Sequence, residues 1–221
     1  MLSENEKSDK NYIDIPKLET EYVVDAYKPI AMTFNKTRRT PWIWQQKFID
    51  EYIKDSYYID IGCGGGRLLN QRSVGIDSCQ EFINIVIQKG LNAVLADMTF
   101  IPFEDETFDN IMCIASYHHL STQERRHKAM KEMFRVLKPG GHILISVWSI
   151  KQPKDTDTKK KFEKYGDVYV PWKNSKQKII TNRYYYIFQT DELEKMFYDN
   201  GFEIIEHIWD YGNEIYILQK K

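Results

Sequence analysis

A carboxylate closes the short apolar run Tyr57-Tyr58-Ile59-Asp60-Ile61, and the chain passes at once into Gly62-Cys63-Gly64-Gly65-Gly66. Glycines at 62, 64 and 66 leave no Cβ in the way, so backbone can approach a ligand closely there. A second apolar run, Val74-Gly75-Ile76, ends in Asp77, seventeen positions after Asp60. A turn and an acid in this order, at the carboxyl ends of two parallel strands, suit a nucleotide-like cofactor, with Asp77 accepting from its ribose hydroxyls. Two cofactor classes are disfavoured. Arg67 breaks the dinucleotide Gly-x-Gly-x-x-Gly spacing counted from Gly62, and no Lys-Ser/Thr closes the loop as in a Walker sequence.

Asp60-Ile61-Gly62-Cys63-Gly64-Gly65-Gly66 resembles motif I of the class I S-adenosylmethionine-dependent methyltransferases. The resemblance implies that Asp60 and the Gly62, Cys63, Gly64 and Gly66 backbone surround the methionine part of S-adenosylmethionine, with Asp77 and Ser78 beside its ribose. Ligands of open α/β sheets sit outside the carboxyl ends of the strands, so the other strand ends are candidates too. Asp97, followed by Met98, is placed to accept an adenine amino group. Ser116-Tyr117-His118-His119 lies where a methyl acceptor would sit, and either histidine could face it. Arginines next to aromatics form two further groups, Arg38-Arg39-Thr40-Pro41-Trp42 and Arg183-Tyr184-Tyr185-Tyr186. Guanidinium beside flat rings suits a phosphate or carboxylate next to a stacked base.

The elements that must position these residues are legible as alternating patterns. Residues 1–19 are polar and aperiodic and read as a flexible lead-in. From Thr20 to Phe34 the apolar spacing predicts a helix, and Thr40-Pro41 predicts the start of another, with Thr40 as its cap. Strands are expected at 57–61, 73–77, 92–97, 108–116 and 142–148. Capping boxes at Ser78–Glu81 and Ser121–Glu124 open the intervening helices, the second running to Lys138. Thr190 is expected to cap a helix over 191–199. Strands at 202–210 and 214–218 then close around Tyr211-Gly212-Asn213. The pattern predicts an α/β fold, a mostly parallel seven-stranded Rossmann-like sheet with a terminal antiparallel hairpin, forming one domain over 20–221.

The chain has 221 residues, a net charge of −1 and 29% charged residues, those of an ordinary soluble globule. No apolar run is long enough to span a bilayer, the N-terminus lacks a secretory apolar stretch, and three unpaired-looking cysteines fit a reducing, cytoplasmic setting. No zinc-ligand spacing occurs, so no metal is expected in this chain. The charge is segregated. A basic insertion over 150–186 carries ten lysines and arginines against four acids, leaving it at +6 and the remainder at −7. One face meeting phosphate would produce such segregation, and so would a solvated lysine-rich loop.

A longer resemblance then becomes visible. Glu21-Tyr22-Val23, Thr37-Arg38, Pro41-Trp42, Asp60–Gly64, His118-His119-Leu120, Glu124-Arg125-Arg126, Val147-Trp148, Val170-Pro171-Trp172, Arg183-Tyr184-Tyr185 and Gly212-Asn213 follow in order. Together they resemble the tRNA wobble-uridine carboxymethyl methyltransferases, stand-alone fungal enzymes and the methyltransferase domain of the animal AlkB-like tRNA hydroxylase. The resemblance implies esterification of 5-carboxymethyluridine in the anticodon loop of tRNA. It also implies a small zinc-binding activator subunit, paired with edge strand 92–97. Arg38 and Arg183 would anchor carboxylate or phosphate, and His118 and His119 would shape the acceptor pocket. Arg39, Trp42, Trp172, Tyr184 and Tyr185 would contact RNA, the tyrosines by stacking. Tyr186 and Glu214 depart from the family pattern, which usually has His and Trp there. Two other readings stay open: a methyltransferase acting on a small carboxylic acid or hydroxyl compound, and a catalytically silent scaffold of the same fold.

Overall fold

The computed structural model describes residues 15–37, 40–153 and 162–221. Arg38, Arg39 and most of the expected lead-in fall outside them, as do Lys154 and Lys159–Lys161 of the basic insertion.

Seven strands form one sheet: β1 (Tyr58–Ile61), β2 (Ser73–Asp77), β3 (Asn92–Leu95), β4 (Phe108–Ile114), β5 (Leu137–Trp148), β8 (Phe202–Asp210) and β9 (Asn213–Lys220). Their order is β3-β2-β1-β4-β5-β9-β8. The first five are parallel, and β9 runs antiparallel between β5 and β8. The near-continuous apolar runs of β1, β4 and β5 are buried on both faces, as parallel strands between helix layers must be. Helices Gln80–Gln88, Gln123–Val136 and Thr190–Asp199 pack apolar stripes onto the sheet. The main core runs from Ile59, Ile111 and Ile143 through Met130 and Met133 to Phe197 and Tyr216.

Several boundaries differ from expectation for local reasons. The N-terminal helical run begins at Lys17 and passes through α, π and 3-10 turns to Lys36. The next helix starts at Ile43 with Trp42 as its cap residue, not Thr40. The Gln45 side chain reaches back to accept from Trp42 N at 3.0 Å, while Thr40 O is taken by Arg67. Cys79, not Ser78, is the residue before helix 80–88, with no side-chain cap, and the Asp77 carboxylate accepts from Cys79 N at 2.9 Å. Thr122 caps helix 123–136, while Ser121 is bound by Glu19. Gln189 precedes helix 190–199, whose first residue is Thr190. Strand β5 begins at Leu137, directly at the helix end, and β3 and β4 stop at Leu95 and Ile114, so Asp97 and Ser116 stand just beyond their ladders.

The segment expected as a basic insertion contains two strands that its charge pattern does not announce. Strands β6 (Gly166–Lys173) and β7 (Ile179–Ile187) form a separate antiparallel ribbon. Val168 and Val170 of β6 and Tyr185 and Ile187 of β7 pack with Trp148 and Phe162. Among the described residues no helix is long and apolar enough to cross a membrane.

Candidate active site

Beyond the carboxyl ends of β1, β2 and β4 lies a cavity bounded by the glycine turn, Asp77, Asp97, Met98 and Ser116 on one side. Tyr27, His119, Trp148, Arg183 and Tyr185 bound it on the other. The turn is shaped by close approach. Gly62 has φ +72°, and a Cβ there would meet Ser116 Oγ at 1.8 Å. At Gly64 (φ +52°) a Cβ would meet nothing within 4 Å. Cys63 tucks its sulfur over Gly75, where a Cβ would lie 2.5 Å from it. Its thiol is buried and its pKa is pushed up by that burial, so it fills space rather than reacting.

Two carboxylates flank the turn. Asp77 accepts from Gly64 N and Cys79 N, both at 2.9 Å, and burial raises its pKa to about 6. Asp60 is 3% exposed, and among the described residues no cation lies within ion-pair distance of it. Burial raises its pKa to about 7, against the opposing field of Arg67. A buried carboxylate beside an open glycine turn suits a ligand bearing an ammonium group, and Asp77 lies where a polyhydroxylated ring would meet it. These residues therefore fit S-adenosylmethionine.

Asp97 has a more constrained position than the sequence suggested. Its Oδ1 accepts from Thr99 N (2.8 Å) and Thr99 Oγ1 (2.7 Å), and its Oδ2 pairs with Arg125 Nη2 at 2.5 Å. Arg125 Nε in turn meets Glu19 Oε2 at 2.9 Å, and Glu19 holds Ser121 N and Oγ. Sequence reading missed Glu19 and the part Arg125 plays, since partners about a hundred residues apart leave no local signal.

The two histidines separate. His119 lines the cavity; its Nδ1 lies 2.6 Å from Tyr184 O and its Nε2 3.1 Å from Tyr27 Oη. Burial lowers its pKa to about 3, so the ring is neutral. His118 sits behind it, fully buried, with Nδ1 accepting from Trp148 N at 3.0 Å.

Strand β7 turns Arg183 and Tyr185 to the cavity and Tyr184 to the opposite face, because successive strand residues alternate. The Arg183 guanidinium is 4% exposed, lies 5.1–5.7 Å from the Tyr27, Trp172 and Tyr185 rings, and has no carboxylate within 4.0 Å among the described residues. Its Nε has no hydrogen-bond partner there. Tyr184 does not stack on a base: it is fully buried and its hydroxyl donates to Asp167 at 2.6 Å. Nor does Tyr185 offer a ring face. Its ring is 1% exposed, stacked by Trp148 at 3.9 Å and met at a tilt by His119 at 4.5 Å. Trp42 borders the cavity beneath the Arg67 guanidinium, whereas Trp172 packs against Phe34.

Comparison with known proteins agrees with this geometry. Residues 59–145 match the family model described as a methyltransferase domain. The chain is 33% identical over 226 residues to the Schizosaccharomyces pombe tRNA (carboxymethyluridine(34)-5-O)-methyltransferase, covering 91% of this chain and 97% of that one. It is 39% identical over 160 residues to the human Probable tRNA methyltransferase 9B, covering 71% of this chain but only 34% of that protein. Thus the chain spans about a third of the human relative's length and nearly all of the fission-yeast one's. Among solved structures, an S-adenosylmethionine-dependent methyltransferase from Clostridium acetobutylicum superposes with a TM-score of 0.65 at 17% identity, covering 88% of this chain and 98% of that one. A putative methyltransferase in complex with the Haloferax volcanii Trm112 methyltransferase activator superposes with a TM-score of 0.61 at 16% identity, covering 89% and 96%. The fold is that of the class I S-adenosylmethionine-dependent methyltransferases, and the chain belongs to the tRNA (carboxymethyluridine(34)-5-O)-methyltransferase family.

Proposed function

We propose that this chain uses S-adenosylmethionine to convert 5-carboxymethyluridine at the tRNA wobble position into its methyl ester. One observation carries the reading: a buried guanidinium, Arg183, with no counter-ion among the described residues, shares a cavity with the glycine turn and Asp60. A buried cation left in this state calls for an anionic ligand. The bound cofactor supplies a sulfonium-activated methyl group. The acceptor carboxylate, with a pKa near ~4, is already ionised at neutral pH and needs no base. This agrees with a His119 that is neutral and committed to other partners.

The protein's work is therefore alignment. Asp60 receives the ammonium end of the cofactor, Asp77 and Ser78 its ribose, and Asp97 and Met98 its adenine. Arg183 holds the acceptor carboxylate, with Arg38 as a second anchor. His119, Trp148 and Tyr185 wall the reacting atoms from water, where positioning contributes up to about 7–11 kcal/mol. Arg39 and Trp42 serve the RNA around the reacting base.

A small zinc-binding activator subunit is proposed to pair with edge strand β3. That edge exposes Val94 (37%) and Leu95 (50%), beside Ile87 (56%) of the adjoining helix, an apolar edge of the kind that proteins cover. The Trm112 complex among the structural neighbours supports such a partner. The setting proposed is the cytoplasm, where the anticodon loop would be the substrate surface. The test is mass spectrometry of wobble uridines after incubating chain, activator, cofactor and tRNA bearing the carboxymethyl base. Conversion to the methyl ester supports the reading, and unchanged acid in the presence of bound cofactor overturns it.

A further inference from the structure

Four groups in the acceptor wall form a chain of contacts whose polarity follows from chemistry. His119 Nδ1 lies 2.6 Å from the carbonyl oxygen of Tyr184. A carbonyl only accepts, so Nδ1 carries the proton. The ring is neutral, so Nε2 presents a lone pair. Tyr27 Oη, 3.1 Å away, must then donate to it. With that proton spent, the contact between Tyr27 and Tyr185 hydroxyls (3.2 Å) runs one way: Tyr185 donates and Tyr27 accepts. The relay reads Tyr185 O–H to Tyr27 O–H to His119 Nε2, then His119 Nδ1–H to Tyr184 C=O. All of its members except the carbonyl's residue line the cavity beside Arg183.

We propose that Tyr27 is a positioning residue: it spends its own proton on His119 and takes that of Tyr185, so that neither phenol offers a donor to the acceptor carboxylate.

The consequence lies in the nucleophile. A carboxylate oxygen that accepts strong hydrogen bonds has its lone pairs stabilised and attacks carbon less readily. Arg183 grips the carboxylate, while the phenol wall withholds further donors from the oxygen that forms the new O–CH3 bond. That bond forms as the S–CH3 bond breaks with its electron pair kept on sulfur, and no proton moves. Arg183, not the wall, favours an acid over the corresponding amide, since it gains nothing comparable from a neutral group. This inference rests on the reading of the cavity as a carboxylate site, but the relay itself can be tested without turnover.

The direct test is long-range 15N–1H correlation NMR of the histidines in the wild-type chain, with His119→Gln used only to assign the signal. A neutral ring with its proton on Nδ1 supports the relay. A proton on Nε2, or an imidazolium at neutral pH, overturns it. The kinetic test compares Tyr27→Phe with Tyr27→Phe/Tyr185→Phe in methyl transfer to carboxymethyluridine tRNA. Removing the Tyr27 hydroxyl takes away the acceptor at 3.2 Å, and the Tyr185 proton can turn to the carboxylate. We expect kcat to fall on the order of tenfold while KM for tRNA does not rise, the value of about one hydrogen bond. Removing the Tyr185 hydroxyl as well abolishes that donor, and the double variant should be at least about threefold faster than the single one. A double variant equal to or slower than Tyr27→Phe, as lost packing alone would give, overturns the role. If the variants do not fold, the NMR result decides. Loss of turnover with an intact Nδ1–H signal would count against the carboxylate reading rather than the relay.

Discussion

Arg125 Nη2 lies 2.5 Å from Asp97 Oδ2, and both side chains are 9% exposed. The same guanidinium binds Glu19, so the N-terminal helical run is fastened to a carboxylate in the cavity wall. Folding of residue 19 and shaping of the site are thereby one event. Arg125→Met would leave two buried carboxylates without their cation. It should destabilise the protein by about 3–5 kcal/mol, read by denaturant unfolding. Its cofactor KM should rise more than its kcat falls. Unchanged stability would refute the coupling.

Arg183→Gln should leave cofactor binding and the thermal midpoint near wild type, yet reduce kcat/KM for the carboxymethyl substrate about a hundredfold. A charge-assisted contact of about 1.5–3 kcal/mol lost from a desolvated site accounts for that range. Arg183→Lys should recover only part, because the ammonium lacks the planar fork. The check is radiolabelled methyl transfer beside calorimetric titration of the cofactor.

Cofactor affinity should depend on pH through Asp60 and Asp77. In the free protein burial holds their pKa values near about 7 and about 6. A cationic ligand prefers the ionised carboxylates, so binding should tighten as pH rises from 5.5 to 8 and release protons in that window. For stability the sign is opposite. Raised folded-state pKa values mean the native free protein binds more protons than the unfolded chain between roughly pH 4 and 7, so this contribution falls as pH rises. Added cofactor should therefore raise the thermal midpoint more at pH 7.5 than at pH 5.5. An equal rise at both would contradict the assignment of Asp60 to the ammonium.

Gly62→Ala should abolish cofactor binding. Its Cβ would meet Ser116 Oγ at 1.8 Å, in a backbone region where L-residues cost about 1–2 kcal/mol. Adding Ser116→Gly removes the clash but not the φ strain, so partial recovery of binding is expected by calorimetry.

Much of this was legible in the sequence where the signal is local. The run Tyr57–Ile61, the glycines after it and Asp77 announce the site because strand, turn and acid are adjacent in the chain and obey one topology. Helix starts proved less legible. Ser78 and Thr40 look like caps, but the first helix begins one residue later, after Cys79, and Gln45 takes the Trp42 amide that a Thr40 cap would use. The ribbon of β6 and β7 carries a period-two pattern in Val168, Val170 and Trp172 that the charge count obscured, and Pro171 within it argues against a strand. Glu19 reads as part of a lead-in because nothing near it in the chain marks a partner at Arg125. The fates of Tyr184 and Tyr185 depend on which face of β7 meets the cavity, and three consecutive buried residues do not reveal that.

Among the described residues, the ribbon that carries Arg183 and Tyr185 shares no ladder hydrogen bond with the seven-stranded sheet that carries the glycine turn. Its seating depends on side chains such as Trp148 stacking on Tyr185, while the sheet's register is closed without it. The acceptor half of the cavity is therefore held by side-chain packing and the donor half by backbone pairing, so a change in the ribbon's length or sequence leaves the strand register behind the glycine turn untouched.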